Sequence, residues 1–467
     1  MPSYEFSYPP ISNQYRTASM QHLDKGDEQH FEIKINDIAL EDRQVSQMPS
    51  LALDFIDLGL AVYLSDWLSH KKVGGTTNLI RVALPLRNYQ IFNSEDIRSK
   101  LTDLLGWFTG DKWKFQFYKR SSKNRSIARQ PVFEYDSGQE SQVSLWSGGL
   151  DALAGLYNSY KSFPSRRYYL VGAGFNSKVY KLQKKLAKEV SNNLTIDLHL
   201  FRLLYNLRGT SQMRKHSFVR SRGLGFIFSG VGCALAVDCK KLYIYENGIG
   251  AINLPYRHSE VGLDHTRALN PKSLIEASEL VSQVLNQEFE ILNPCVLSTK
   301  AEMCRNLKDG SLLDAVFDTK SCDSPHRKVP SQCGSCSSCI LRRQALVAAG
   351  IEDRTKYVIQ EESDNSASGT HFINGMIHQV NTLADILHND EKSTDDKWID
   401  LVNEYPDLDY VADSLASRRQ NNVEQIREGI MDLYKKYCHE WMMIQDQLLT
   451  DFPHSKEFIQ SKSGERL

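Results

Sequence analysis

The stretch Gln142-Val-Ser-Leu-Trp-Ser-Gly-Gly-Leu-Asp151 decides how this chain of 467 residues is read. Residues 142–146 have the composition of a strand. Ser147, Gly148, Gly149, Leu150 and Asp151 then turn the chain into a helix expected to run from 151 to about 160. Two glycines open backbone conformations closed to residues with a Cβ, so successive N–H groups can converge on phosphate oxygens. The helix N-terminus adds roughly half a positive charge, Ser147 adds a hydroxyl donor, and Asp151 adds a carboxylate placed to hold Mg²⁺. The pattern GxxxxGK[ST] is absent, so this is not a Walker A loop. The plainer alternative is an ordinary strand-to-helix corner that glycine merely makes tight.

Downstream, strands expected at 167–171, 195–201 and 241–245 alternate with helices at 177–190 and 222–238. Such alternation predicts an α/β fold with a doubly wound parallel sheet. Ligands on such sheets lie beyond the C-terminal strand edge, where the Gly-rich turn falls. Residues 131–358 are expected to form this core. On its N-terminal side, residues 1–29 read as a loose leader. Residues 30–130 read as a small α+β domain, with strands at 30–36, 78–86 and 112–118, helices at 51–68 and 94–107, and a polar linker at 121–130. On the C-terminal side, residues 361–370 are polar, and 372–467 read as a helical extension. In the extension Val423, Ile426, Ile430, Tyr434, Tyr437, Trp441, Ile444 and Leu448 recur at spacings of three and four, which predicts a packing face.

Length over ~150 suggests about three structural units. With 41% hydrophobic and 24% charged residues and a net charge of −1, no global positive field draws the chain to nucleic acid or anionic lipid. Its first residues lack the basic start and apolar stretch expected of a signal peptide. Residues 224–237 are the least polar long run, too short for the ~20 residues of a spanning helix, and read as a helix buried under the sheet. A cytoplasmic location with reduced cysteines is expected. Cys233, Cys239, Cys295, Cys304 and Cys438 are scattered and read as buried small apolar residues.

Cys322, Cys333, Cys336 and Cys339 form C-x10-C-x2-C-x2-C. Two thiolates from a CxxC turn and two more complete a tetrahedron suited to Zn–S bonds of ~2.3 Å, and four protein ligands leave no open position, so Zn²⁺ here is structural. An iron–sulfur cluster is the alternative for the same spacing.

Ser-Gly-Gly-Leu-Asp after a strand resembles the PP-loop signature of the ATP-pyrophosphatases, which share the HUP version of the Rossmann-like fold and cleave ATP between its α and β phosphates. The resemblance implies that Ser147, Gly148, Gly149 and Asp151 bind the pyrophosphate portion. Ala152 departs from the Ser or Thr that often follows the Asp. The run from Cys333 to Asp353 (CGSCSSCILRRQALVAAGIED) resembles the end of 7-cyano-7-deazaguanine synthase, QueC. Residues 219–224 (VRSRGL) stand at the family's Arg-Asn helix start with Gly223 replacing Asn, 245–255 (YENGIGAINLP) match the segment after the next strand, and 299–302 (TKAE) match its Lys-Ala-Glu. This likeness covers about 142–355. The stretch 108–117 (FTGDKWKFQF) resembles the N-terminal extension on QueC-like proteins of bacterial anti-phage systems, among them Qat and type IV cyclic-oligonucleotide (CBASS) systems.

The family reaction activates the carboxylate of 7-carboxy-7-deazaguanine as an acyl-adenylate that an amine then attacks. By resemblance Arg222 and Lys300 are the cations that neutralise phosphate charge, and Glu246 and Asn247 the groups facing the guanine-like edge. Residues 202–222, rich in Arg, read either as a basic lid over ATP or as a solvated loop; Arg257 and His258 are weaker candidates. In the defence-associated relatives the acceptor implied is a protein amine, such as an N-terminal glycine of a protein from the same operon. Added domains make little sense for ammonia, which nitrile synthesis would use. Two other classes stay open. A tRNA-modifying PP-loop enzyme would need a catalytic cysteine pair or an iron–sulfur cluster, and a sustained basic surface. A non-catalytic nucleotide- or deazaguanine-binding module is left open by Ala152 and Gly223.

Overall fold

The computed structural model describes residues 1–36, 48–70, 77–121, 139–216, 219–256, 267–323, 332–361, 370–419, 422–450 and 452. Most of the expected 121–130 linker, Arg257, His258 and the last residues of the extension lie outside them.

The segment expected as a loose leader is sheet. Strands β1 (Ser3–Ser7) and β2 (Arg16–His22) pair antiparallel, and β2 pairs with β3 (Asp27–Asn36) across a turn at Gly26. Composition hid this because only alternate positions, Tyr4, Phe6, Ala18 and Met20, are buried, while the polar residues between them face outward. Helix α1 (Ser50–Leu68), β4 (Leu79–Leu86), α2 (Tyr89–Phe92), α3 (Glu95–Thr109) and β5 (Lys112–Lys119) complete the unit close to expectation. Helix α3 ends on Gly110 in the left-handed region, φ 68°. Helix α1 is buried on nearly every side, and its interior carboxylates Asp54 and Asp57 are met by Arg87 at 3.0 Å each and, for Asp57, by Arg120 at 3.2 Å.

The core runs β6 (Ser141–Leu145), α4 (Leu150–Ser162), β7 (Arg167–Gly174), α5 (Ser177–Asn193), β8 (Asp197–Arg208), α6 (Arg222–Ala236), β9 (Lys241–Tyr243), α7 (Gly248–Ile252), α8 (Pro271–Leu285) and β10 (Glu290–Leu292). It continues through α9 (Lys300–Cys304), a 3₁₀ turn (Arg305–Leu307), α10 (Leu313–Asp318), α11 (Ser337–Ala348) and α12 (Val358–Glu361). The strands lie in the order β10-β9-β6-β7-β8, all parallel. Tyr169, Val171, Phe201 and Leu203 point to one apolar cluster, Tyr168 and Leu170 to another, so helices cover both faces. This is the doubly wound, HUP-like α/β architecture expected from the alternation.

The boundary at residue 130 is not a boundary of the sheet. Strand β8 extends to Arg208, well beyond the expected end at 201, and its extra length pairs antiparallel with β3, with Ile33 opposite Leu207. One ten-stranded sheet results, β10-β9-β6-β7-β8-β3-β2-β1-β4-β5. The helices follow suit: α1 crosses α6, and a Cβ on Gly59 would lie 2.7 Å from the carbonyl oxygen of Gly225. Glycine at that crossing lets the two backbones touch. The same extension of β8 corrects the reading of 202–222 as a lid or loop, since its first third is strand. Arg202 lies over the Tyr180 ring and Arg208 over that of Tyr15.

The C-terminal region is helical as expected: α13 (Thr370–Leu387), α14 (Thr394–Glu404), α15 (Asp407–Arg419) and α16 (Val423–Leu449). The predicted stripe is the packing face of α16; Ile426, Ile430, Tyr434, Tyr437, Trp441, Ile444 and Leu448 are buried and Val423 partly so. It packs on α11 and α13, and Leu433 presses against Gly248, where a Cβ would lie 2.5 Å from a leucine methyl. No helix among the described residues is long and apolar enough to cross a membrane.

Candidate active site

The loop Ser147–Gly149 leaves β6 and opens α4 at the C-terminal edge of the parallel strands, as expected. Gly148 has φ +78°, a conformation L side chains rarely adopt, and Gly149 is the N-cap. The Ser147 hydroxyl is exposed and accepts the Gly149 N–H at 3.1 Å. The first N–H groups of α4 have no partner within the helix, which leaves them facing the loop mouth. Trp146 is anchored below by Gln183, whose amide donates to the Trp146 carbonyl at 2.7 Å while the indole N–H donates to the Gln183 carbonyl at 3.0 Å.

Asp151, in the first turn of α4, meets Lys300 at 2.6 Å. Thus the loop and the Thr-Lys-Ala-Glu segment, about 150 residues apart in sequence, converge on one ion pair. Lys300 is almost fully buried. Burial lowers the affinity of its ammonium for the proton, but Asp151 and Glu246 outweigh that and hold its pKa above the usual lysine range. Asn247 joins the group, its amide donating to Asp151 Oδ1 at 2.9 Å and to Glu246 Oε1 at 2.8 Å. Its own carbonyl oxygen accepts Gly250 N–H and caps α7. Asn247 is wholly buried; it bridges two carboxylates rather than presenting a free edge. Glu246 is held from behind by Asn293, whose amide donates to its carbonyl at 2.8 Å.

Two carboxylates therefore share one lysine. Burial, then repulsion from Asp151, pushes Glu246 up to about 8, with Lys300 acting in the opposite sense. The oxygens of Asp151 and Glu246 are hard donors of the kind Mg²⁺ selects, and a divalent cation there would offset the surplus negative charge. Cys295 stands beside both carboxylates and Cys304 beside Asp151. Burial and Asp151 push both thiols up to about 12, so neither is an activated nucleophile of the sort thiolation requires. Nothing in their scattered spacing pointed to this place.

Arg222 starts α6 and is exposed; burial, the larger cause, raises the Tyr63 hydroxyl of α1, while the Arg222 charge favours its phenolate. The two departures from the family pattern have packing causes. A Cβ on Gly223 would lie 2.2 Å from Ala268 Cβ, so Asn has no room there. Ala152 is buried in the apolar cluster beneath α4.

The four cysteines come together as expected: their sulfurs all lie within 4.8 Å of one another, and Cys333 and Cys339 are 3.9 Å apart. Tetrahedral Zn–S bonds of ~2.3 Å place sulfurs just under ~4 Å apart, so the cluster fits zinc. Backbone N–H groups of Ser335 and Cys336 donate to Cys333 Sγ at 3.4 and 3.2 Å, and Gly334, φ +84°, makes the turn that aims them. The cluster also braces the loop. Lys320 N–H, two residues before Cys322, donates to the Gly148 carbonyl at 3.0 Å, and the buried Arg342 of α11 ties Thr319 at 2.6 Å and the Val316 carbonyl at 2.7 Å.

A PP-loop on a HUP-like parallel sheet, backed by a four-cysteine knuckle, defines the class. Residues 141–350 match the family model described as "Queuosine biosynthesis protein QueC", so this region of the chain is similar to that family. Its relatives include the 7-cyano-7-deazaguanine synthase of Clostridium botulinum (strain Loch Maree / Type A3), 26% identical over 227 residues, which are 45% of this chain and 95% of that protein. Synthases of the same name from Acetivibrio thermocellus and Methanococcus vannielii are 24% identical over 234 residues and 22% over 243, covering 46% and 47% of this chain and 97% and 99% of theirs. The likeness stops short of β1–β5 and of α13–α16.

Proposed function

We propose that this protein uses ATP to adenylate the carboxylate of 7-carboxy-7-deazaguanine and passes the acyl group to an amine. The observation that carries the reading is the buried Lys300–Asp151 pair at the mouth of a Gly-rich loop, with Glu246 alongside. A carboxylate is a poor electrophile because oxide is a poor leaving group. Its oxygen attacks the α-phosphorus of ATP, the bond to the bridging oxygen breaks, and pyrophosphate departs. The loop N–H groups and the α4 N-terminus bind the pyrophosphate portion, and Lys300 neutralises charge that grows as the bond breaks. Asp151 and Glu246 would hold Mg²⁺, which would supply Lewis-acid stabilisation of the phosphate oxygens. Arg222, on the rim, reaches the triphosphate from the neighbouring strand end. Glu246 takes the face nearest the deazaguanine, while Asn247 fixes the orientation of both carboxylates. An amine then attacks the acyl carbon, AMP leaves, and the amine loses its proton to solvent.

The acceptor we favour is a protein amine, an N-terminal residue of a partner encoded in the same operon, in an anti-phage setting. The support is size: the residues outside 141–350, which include β1–β5 and α13–α16, outnumber those of the matched region, and ammonia needs none of them. Ammonia with nitrile formation is the second reading, favoured by the relatives' shared name. Intact-mass spectrometry of the co-expressed partner separates them: a gain of one deazaguanine acyl group, lost with Asp151→Ala, is expected. No gain would leave ammonia as the acceptor.

A further inference from the structure

The Thr299–Glu302 turn that presents Lys300 is held from outside the QueC-like domain. Thr299 caps α9 through a capping box: its hydroxyl oxygen accepts Glu302 N–H at 3.1 Å and the Glu302 carboxylate accepts Thr299 N–H at 2.9 Å. Lys300 is the first residue of that helix, so the cap sets where its ammonium falls. The Thr299 hydroxyl proton goes to Glu440 Oε1, at 2.6 Å, and Glu440 belongs to α16. Four residues earlier on the same face of α16, Lys436 meets the outer oxygen of Glu302 at 2.9 Å. Both members of the capping box are thereby gripped by one helix of the C-terminal extension.

Glu440 is a buried carboxylate, 2% exposed, and such a group is costly unless its partners are all made. Its other oxygen accepts the Gln344 amide of α11 at 3.3 Å, and Arg305 lies 3.5 Å from the first. Packing alone would be served by an apolar residue at this place. The i, i+4 pair Lys436 and Glu440 instead matches the two polar ends of the cap.

We infer that Glu440 is a positioning residue for Lys300: acting through the Thr299 hydroxyl, it makes the C-terminal extension a working part of the ATP site. The inference rests on the reading of Lys300 given above. In the full chain, Thr299→Val and Glu440→Ala should each lower kcat for pyrophosphate release by about tenfold to a hundredfold. KM for ATP should stay within about threefold. Thr299→Ser and Glu440→Gln, which keep the hydroxyl and the acceptor oxygen, should recover most of the activity. The double variant Thr299→Val/Glu440→Ala should be no slower than either single one. A second measurement does not depend on turnover. Competitive acetylation read by mass spectrometry should show Lys300 labelling several-fold faster in Thr299→Val and Glu440→Ala, with the surface residues Lys185 and Lys241 unchanged. Normal kcat in both variants, additive losses, or unchanged Lys300 labelling would overturn the inference. If Lys300→Met is inactive while Thr299→Val and Glu440→Ala turn over normally, the reading of the site survives and this inference alone falls.

Discussion

Lys300 is nearly inaccessible, yet its charge is favoured because two carboxylates face it. Replacing it with Met should lower kcat by about a hundredfold to a thousandfold. Arg should not rescue it, because a planar guanidinium does not fit the place of a compact ammonium. Glu246 gives a pH signature of its own. Its pKa is raised from 4.5 to about 8 in the folded chain, so the folded state holds a proton that the unfolded state releases. Its stabilising contribution is fully present below about 4.5 and disappears as pH rises through about 8. In metal-free buffer the thermal midpoint of Glu246→Gln should therefore fall less between pH 5 and 8 than that of the unaltered chain; parallel curves would contradict the assignment. Asp151 and Lys300 were legible because each sits inside a short motif whose chemistry is local. The bridging role of Asn247, the nearness of Cys295 and Cys304, and Glu440 were not, because those contacts join segments far apart in sequence.

At the scale of elements, the knuckle and the loop behave as one device. Lys320 links the Cys322 segment to Gly148, so a metal at the cysteines would also fix the Gly-rich loop. Elemental analysis should find one zinc per chain and no absorbance near 400 nm. Cys336→Ser should lose the zinc and most ATP turnover together. Intact turnover in a zinc-free variant would uncouple them. The crossing of α1 and α6 is equally specific: Gly225→Ala places a Cβ 2.9 Å from the Gly59 carbonyl oxygen. It should cost about 1–3 kcal/mol in denaturant unfolding. The parallel strands and their helices were visible in sequence because helical and strand periodicities differ. Strands β1 and β2 escaped notice because half of each faces water, and α8 lay in a stretch without a chemical motif to mark it.

Across the whole molecule, the expected chain of separate units becomes one sheet with a helical layer behind the site. Strand β3 adds to β8 and α1 lies on α6, so a chain lacking residues 1–121 exposes an open sheet edge and an apolar helix face. Such a truncation should be insoluble, checked by the soluble fraction after expression, whereas an independently folding N-terminal domain would leave it soluble. Sequence placed the fold class correctly, and put the Gly-rich turn at the C-terminal strand edge, because both are set by the β6–α4 turn and the alternation around it. It did not show that the sheet continues from β8 onto β3, since that depends on how far β8 runs, which no local pattern marks. The central claim is adenylation at Ser147–Asp151, and ATP–pyrophosphate exchange tests it most directly. With 7-carboxy-7-deazaguanine, labelled pyrophosphate should enter ATP in the unaltered chain and not in Asp151→Ala. Exchange that needs no deazaguanine carboxylate, or that survives Asp151→Ala, would contradict it.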